Sequence, residues 1–136
     1  MARVRDFMTT GVMTVDSSAE LVEAARLMRD CDVGVLPVMQ DGRLRGMVTD
    51  RDIVTRALAS GKFKATVGEI LTEDLVCLSP DDDEKEAQKR MSDNDVRRLP
   101  VVEDGKVVGM VSVGDLAVRR SDKLAGKVME ETGPDD

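Results

Sequence analysis

Histidine, tryptophan and tyrosine are absent from this 136-residue chain, and phenylalanine occurs only at Phe7 and Phe63. Without histidine the chain lacks the usual general base and the commonest metal ligand. The near absence of aromatics forces an aliphatic core. It also means that a planar ligand would be gripped by aliphatic groups and backbone, with almost nothing to stack on. Cys31 and Cys77 are the only cysteines and form no C-x-x-C pair, so they read as two small, reduced core residues. Positive charge is in deficit, with a formal net charge of −7. An acidic chain without stacking platforms is a poor nucleic-acid binder. No apolar run approaches the ~20 residues of a membrane span, and none follows Arg3, Arg5 and Asp6 as a secretory leader would require. The expected location is the cytoplasm, with no membrane partner. No P-loop or metal-ligand cluster is present either, so no catalytic residue and no metal site is assigned, and an enzyme is the weakest of the functional readings.

What the chain does contain is a repeat. A shift of 63 positions, which carries Pro37 onto Pro100, lays VLPVMQDGRLRGMVTDRDIV over RLPVVEDGKVVGMVSVGDLA without a gap. Upstream, Glu23, Ala24, Met28 and Asp30 fall on Glu86, Ala87, Met91 and Asp93. The copies span 4–59 and 67–120. A short basic connector, 60–66, joins them, and a tail, 121–136, follows with its end expected to be disordered.

Each copy has one local grammar. A short aliphatic run, Val12 to Val15 or Leu75 to Leu78, predicts a strand. Ser17 with Glu20 reads as a capping box; in copy two Ser79 reads as the N-cap, with Pro80 and Asp81 to Asp83 in the first turn. Strands are predicted over Val35 to Met39 and Leu44 to Thr49, and over Arg98 to Val102 and Val107 to Ser112. Asp41-Gly42 and Asp104-Gly105 form the tight turns between them. A second helix follows near Asp52 and near Asp115. The order is β-α-β-β-α twice, an α/β (α+β) fold in which one copy alone buries too little.

Both copies carry G-x-x-[S/T]-x-x-D, with Thr49 and Asp52 in one and Ser112 and Asp115 in the other. The hydroxyl ends a strand and the carboxylate starts a helix. Two readings stay open: plain helix capping, or a carboxylate offered to a pair of ligand hydroxyls such as a ribose diol. On the second reading both carboxylates face open space. Arg97-Arg98 precedes Leu99-Pro100, where copy one has Gly34-Val35; the arginines serve either an anion or a pairing with Asp93 or Asp95. Lys62, Lys64, Arg51, Arg119 and Arg120 add positive potential. The first helices also differ: Leu21, Val22, Ala25 and Leu27 become Glu84, Lys85, Gln88 and Arg90. The wide apolar face in copy one predicts a homodimer contact there. Ala24, Met28, Ala87 and Met91 should face their own sheets.

The repeat, with its L-P-V, D-G, G-M-V-[S/T] and following Asp, resembles the cystathionine-beta-synthase (CBS) domain, two of which in tandem make a Bateman module. The resemblance covers residues 4 to 120. It implies two copies packed sheet to sheet about a pseudo-twofold axis, and a cleft between them for AMP, ADP, ATP or S-adenosylmethionine. It further implies ribose contacts at Thr49, Asp52, Ser112 and Asp115. Adenine slots would lie around Met13, Leu36 and Pro37 and around Val76, Leu99 and Pro100, and phosphate contacts at Arg97 and Arg98. No cofactor is required on this reading. The ligand is regulatory, and an unknown effector protein on a separate chain receives the signal. A ligand-free scaffold of the same fold is the alternative.

Overall fold

The computed structural model describes residues 2–73 and 75–119. The expected tail at 121–136, and Arg120 with it, lie outside the described residues.

Copy one supplies a three-stranded sheet. Strand β1 (Val15–Asp16) runs parallel to β2 (Val35–Gln40), which pairs antiparallel with β3 (Arg43–Thr49). Helix α2 (Leu21–Cys31) makes the crossover. Pro37 stands in the central strand, where a missing N–H is normally costly. Here the β1 ladder begins only at Val15 opposite Val38, so little is lost. At the tight turn Asp41 and Gly42 have φ of 52° and 79°, the geometry of a primed hairpin turn. Helix α3 (Asp50–Asp52) continues as a π-helical stretch, Ile53–Leu58.

Copy two repeats this pattern. Leu78 bridges Val101 in parallel, helix α5 (Glu84–Asp93) crosses over, and β4 (Arg98–Glu103) pairs with β5 (Lys106–Ser112). Asp104 and Gly105 repeat the primed turn with φ of 53° and 79°. Residues 113–119 are helical. The mixed α/β class read from the sequence is the class observed.

The helix starts depart from expectation. The N-cap of α2 is Glu20, with no capping bond from its side chain, and Asp16 instead accepts from Ser18 N at 2.9 Å in a tight turn. In copy two the cap is Asp83, whose carboxylate accepts from Glu86 N at 2.8 Å. Ser79 starts a separate turn, closed by Asp82, that precedes the helix. Short polar side chains can satisfy local amides in several registers, and the spacing alone did not choose among them.

The compact units of the fold do not coincide with the repeats. Among the described residues, one comprises 11–73 and 75 with Val102–Val108, the tip of the second hairpin; the other comprises 2–10, 76–101 and 109–119. Each copy's leading segment therefore serves the other copy's unit. Helix α1 (Val4–Phe7) buries Val4 completely. Val4 N donates to Asp82 O at 2.7 Å, and Thr9 exchanges two 2.9 Å bonds with Met110. In the other unit, helix α4 (Val67–Ile70) buries Val67, and Thr72 exchanges bonds of 2.9 and 3.0 Å with Met47. Thr9/Thr72 and Met110/Met47 are repeat equivalents, so the exchange is reciprocal.

Ala24, Met28, Ala87 and Met91 are buried, as their shared apolar character requires. Leu21 is buried too, at 6% exposure, in its own unit's core, and Leu27 packs against that core. The outward apolar face of α2 is thus narrower than its sequence implies, reduced to Val22 and Ala25. Both cysteines are free, but Cys31 is exposed and Cys77 half-buried, so the core-residue reading is corrected. Burial pushes the Cys77 thiol up, against the nearby Arg90 charge. No helix among the described residues is long and apolar enough to cross a membrane.

Candidate functional site

Each G-x-x-[S/T]-x-x-D segment closes into the same reciprocal box. Thr49 N donates to Asp52 Oδ2 and Asp52 N donates to Thr49 Oγ1, both at 3.0 Å. Ser112 N donates to Asp115 Oδ2 at 2.9 Å and Asp115 N to Ser112 Oγ at 3.0 Å. The box satisfies two amides at the strand-to-helix step. It consumes one carboxylate oxygen and leaves Oδ1 for other work.

That second oxygen fares differently in the two copies. In copy one, Asp52 Oδ1 lies 3.7 Å from Arg56 Nε, and the Asp52 side chain is only 14% exposed. Asp52 and Asp115 are alike half-buried, so neither carboxylate faces fully open space, and the two differ in what their arginine does. Arg56 is anchored as well by the Ile70 and Leu71 carbonyls, at 3.4 and 3.3 Å. In copy two, Asp115 is partly exposed and has no ion-pair partner among the described residues. Arg119, the equivalent of Arg56, lies instead 3.7 Å from Glu84 Oε1.

The remaining candidates fall into two groups. The side chains of Leu36, Pro37, Leu99 and Pro100 are fully or almost fully buried. Any contact they make with a ligand is through backbone, which β2 carries alongside the Thr49 strand end in the pairing of Val35 with Thr49. Met13 is 48% exposed and Val76 half-buried. Arg97 and Arg98 are both exposed and form no ion pair among the described residues, with Asp93, Asp95 or anything else. Their backbone is fixed: Val113 N donates to Arg97 O at 2.9 Å, as Asp50 N does to Gly34 O at 3.0 Å in copy one.

This register exposes a charge reversal that a motif search overlooks. In copy one the carboxylate of Asp50 sits against Gly34, within 3.1 Å of where a Cβ would stand. In copy two the same two positions are Val113 and Arg97. An acidic group is lost and a basic one gained at one strand end. The signal was present in the aligned repeat, but only the pairing of the two positions gives it meaning. Arg97 and Val113 also border a hollow of about 570 Å³ between α5 and the 113–119 helix, floored by Met91 and Leu116. No cluster of three metal-ligating side chains occurs among the described residues.

A family model for the CBS domain matches twice, at residues 4–59 and 67–122. The CBS domain-containing protein YhcV of Bacillus subtilis is 41% identical over 131 residues, covering 95% of this chain and 94% of its own. Hypoxic Response Protein I, whose crystal structure holds two coordinated zinc ions, is 38% identical with a TM-score of 0.79, over 88% of this chain and 99% of that one. The CBS domain pair of protein MJ0100, in complex with 5-methylthioadenosine and S-adenosyl-L-methionine, is 30% identical with a TM-score of 0.79, over 90% of this chain and 98% of that one.

Proposed function

The chain belongs to the CBS domain family, as a tandem pair, and from that premise we propose that it is a non-enzymatic regulatory module. It binds an adenosine-containing ligand at its strand-end boxes and signals to a partner protein. The ribose hydroxyls donate to the free oxygen of the box carboxylate, the adenine lies along strand-end backbone, and phosphate meets Arg97 and Arg98. The observation that carries this reading is the charge reversal at the copy-two strand end. Two exposed arginines, without an ion-pair partner among the described residues of a chain of net charge −7, stand where copy one has glycine and valine. The complex of the MJ0100 relative with 5-methylthioadenosine and S-adenosyl-L-methionine supports the ligand class. Adenine nucleotides and S-adenosylmethionine both fall within it. The ligand-free scaffold reading draws on the boxes too, since capping alone accounts for Thr49 with Asp52.

Calorimetry separates the two. The full chain is expected to bind AMP more tightly than adenosine. Arg97→Ala with Arg98→Ala is expected to weaken AMP by tenfold or more, taking roughly 1.5–3 kcal/mol per charge-assisted bond, and to leave adenosine nearly unchanged. Equal weakening of both would reduce the arginines to a folding role. Absence of heat with AMP, adenosine and S-adenosylmethionine alike would favour the scaffold.

The same proposal includes a homodimer formed through the copy-one helices. Val22, Val54 and Leu58 are 53%, 55% and 47% exposed there. Twofold pairing is the commonest way to cover such a face. Sedimentation is expected to give a dimer, and Val22→Glu with Val54→Glu a monomer. Leu21 is the wrong probe, because a charge at that buried position damages the core itself. A monomeric wild type would sink this part of the proposal.

A further inference from the structure

The two boxes are built alike and yet their carboxylates are not equally available. Arg56 and Arg119 occupy the same repeat position, four residues beyond Asp52 and Asp115. On a helix that spacing brings an arginine over the preceding acid. Arg56 obeys it and sits 3.7 Å from Asp52. Arg119 does not, and sits 3.7 Å from Glu84, at the start of α5. Copy one has Leu21 at the position of Glu84, buried in the core and without a charge to compete. The two copies thus differ in which acid their arginine approaches. The Glu84 side chain is 15% exposed and that of Arg119 is 34% exposed, so solvent screens the pair less than it would a surface contact.

We infer that the two strand-end sites are not equivalent, and that Glu84 makes copy two the ribose acceptor by holding Arg119 away from Asp115. This rests on the adenosine reading above and adds to it which site fills and what decides it. Glu84 touches no ligand; it is a positioning residue. Asp115 Oδ1 stays open to accept from a ribose diol. Asp52, half-buried like Asp115, meets an incoming hydroxyl with its charge already engaged by Arg56. A ligand must displace Arg56 to use it.

The test uses the full chain and adenosine, which carries no phosphate and so does not report on Arg97 and Arg98. Calorimetry is expected to show one tight site per chain, with any second site at least about tenfold weaker, the scale of a hydrogen bond to a charged group. Glu84→Leu, which copies the copy-one residue, releases Arg119 onto Asp115 and should weaken the tight site by about tenfold. Adding Arg119→Met to Glu84→Leu removes the competitor and should restore it. Restoration by the second change is an outcome that damage to α5 would not give. Two equal sites in the wild type, an unaffected Glu84→Leu chain, or a double variant as weak as the single one would each overturn the inference while leaving the adenosine reading standing. Thermal unfolding of the same variants supplies a readout without ligand. Should no adenosine bind while the Glu84 and Arg119 changes still couple in unfolding, the adenosine reading fails and the inference falls with it, although the ion pair itself is real.

Discussion

Deleting residues 2–10 is expected to unfold the wrong repeat. The segment leads into copy one, but it is built into the unit that contains residues 98–101 of β4 and 109–112 of β5. Val4 is fully buried there, worth roughly 1.5–3 kcal/mol on transfer from water. The backbone bonds from Val4 N to Asp82 O, from Arg5 N to Pro80 O, and both ways between Thr9 and Met110 go with it, at about 1 kcal/mol each. Arg5 also pairs with Asp81, and that hydrogen bond holds the Asp81 carboxyl below its ordinary range. The sum is comparable with the ~5–15 kcal/mol that stabilises a whole small domain. Hydrogen exchange is the direct measurement. Amides of β4 up to Val101 and of β5 from Gly109 to Ser112 should lose protection first, while those of β2 and β3 keep most of theirs. Early loss at β2 and β3 instead would contradict the exchanged arrangement.

Gly46→Ala should be the most damaging single methyl in the chain. Gly46 lies on β3 where Thr72 pairs with Met47, and an added Cβ would stand 2.5 Å from Thr72 O and 2.6 Å from Leu71 Cδ1. A backbone oxygen that accepts from Met47 N, in a residue whose own N–H donates to Met47 O, cannot step aside without breaking those bonds. The expected cost is about 3 kcal/mol, overpacking together with weakened hydrogen bonds. Its repeat equivalent, Gly109, makes a control of the same chemistry. A Cβ there meets Met8 Sδ at 2.5 Å and Thr9 O only at 3.0 Å. The thioether arm of Met8 can swing away, so Gly109→Ala should cost about 1–2 kcal/mol. Denaturant unfolding ranks the two; a reversed order, or a Gly46→Ala chain within about 0.5 kcal/mol of wild type, would refute the steric account.

These two cases mark where the sequence stops being legible. Local signals were strong: the Asp-Gly turns, the short aliphatic runs that flank them and the [S/T]-x-x-D boxes are each set by neighbours within a few residues. The partner of a leading segment is not set that way. Val4 and Val67 read identically whether they pack on their own copy or on the other, because the repeat makes both acceptors nearly the same. Leu21 failed as an outward residue for a related reason. Helical periodicity says which side chains share a face, but not how far the sheet beneath reaches around it. The Glu84–Arg119 pair joins positions 35 residues apart, and only the fold brings the acid to the arginine.

The exchange of leading segments bears on how such a chain can have arisen and can be divided. If the ancestral gene encoded one copy, two molecules would have had to trade their first segments to be complete. Fusion then turned a trade between molecules into one within a chain. What was duplicated is accordingly not what can be cut out: a break in the connector at 60–66 yields two halves that each hold the other's missing piece. Such halves make natural candidates for reassembly from separate chains, with the loss of either one felt in both.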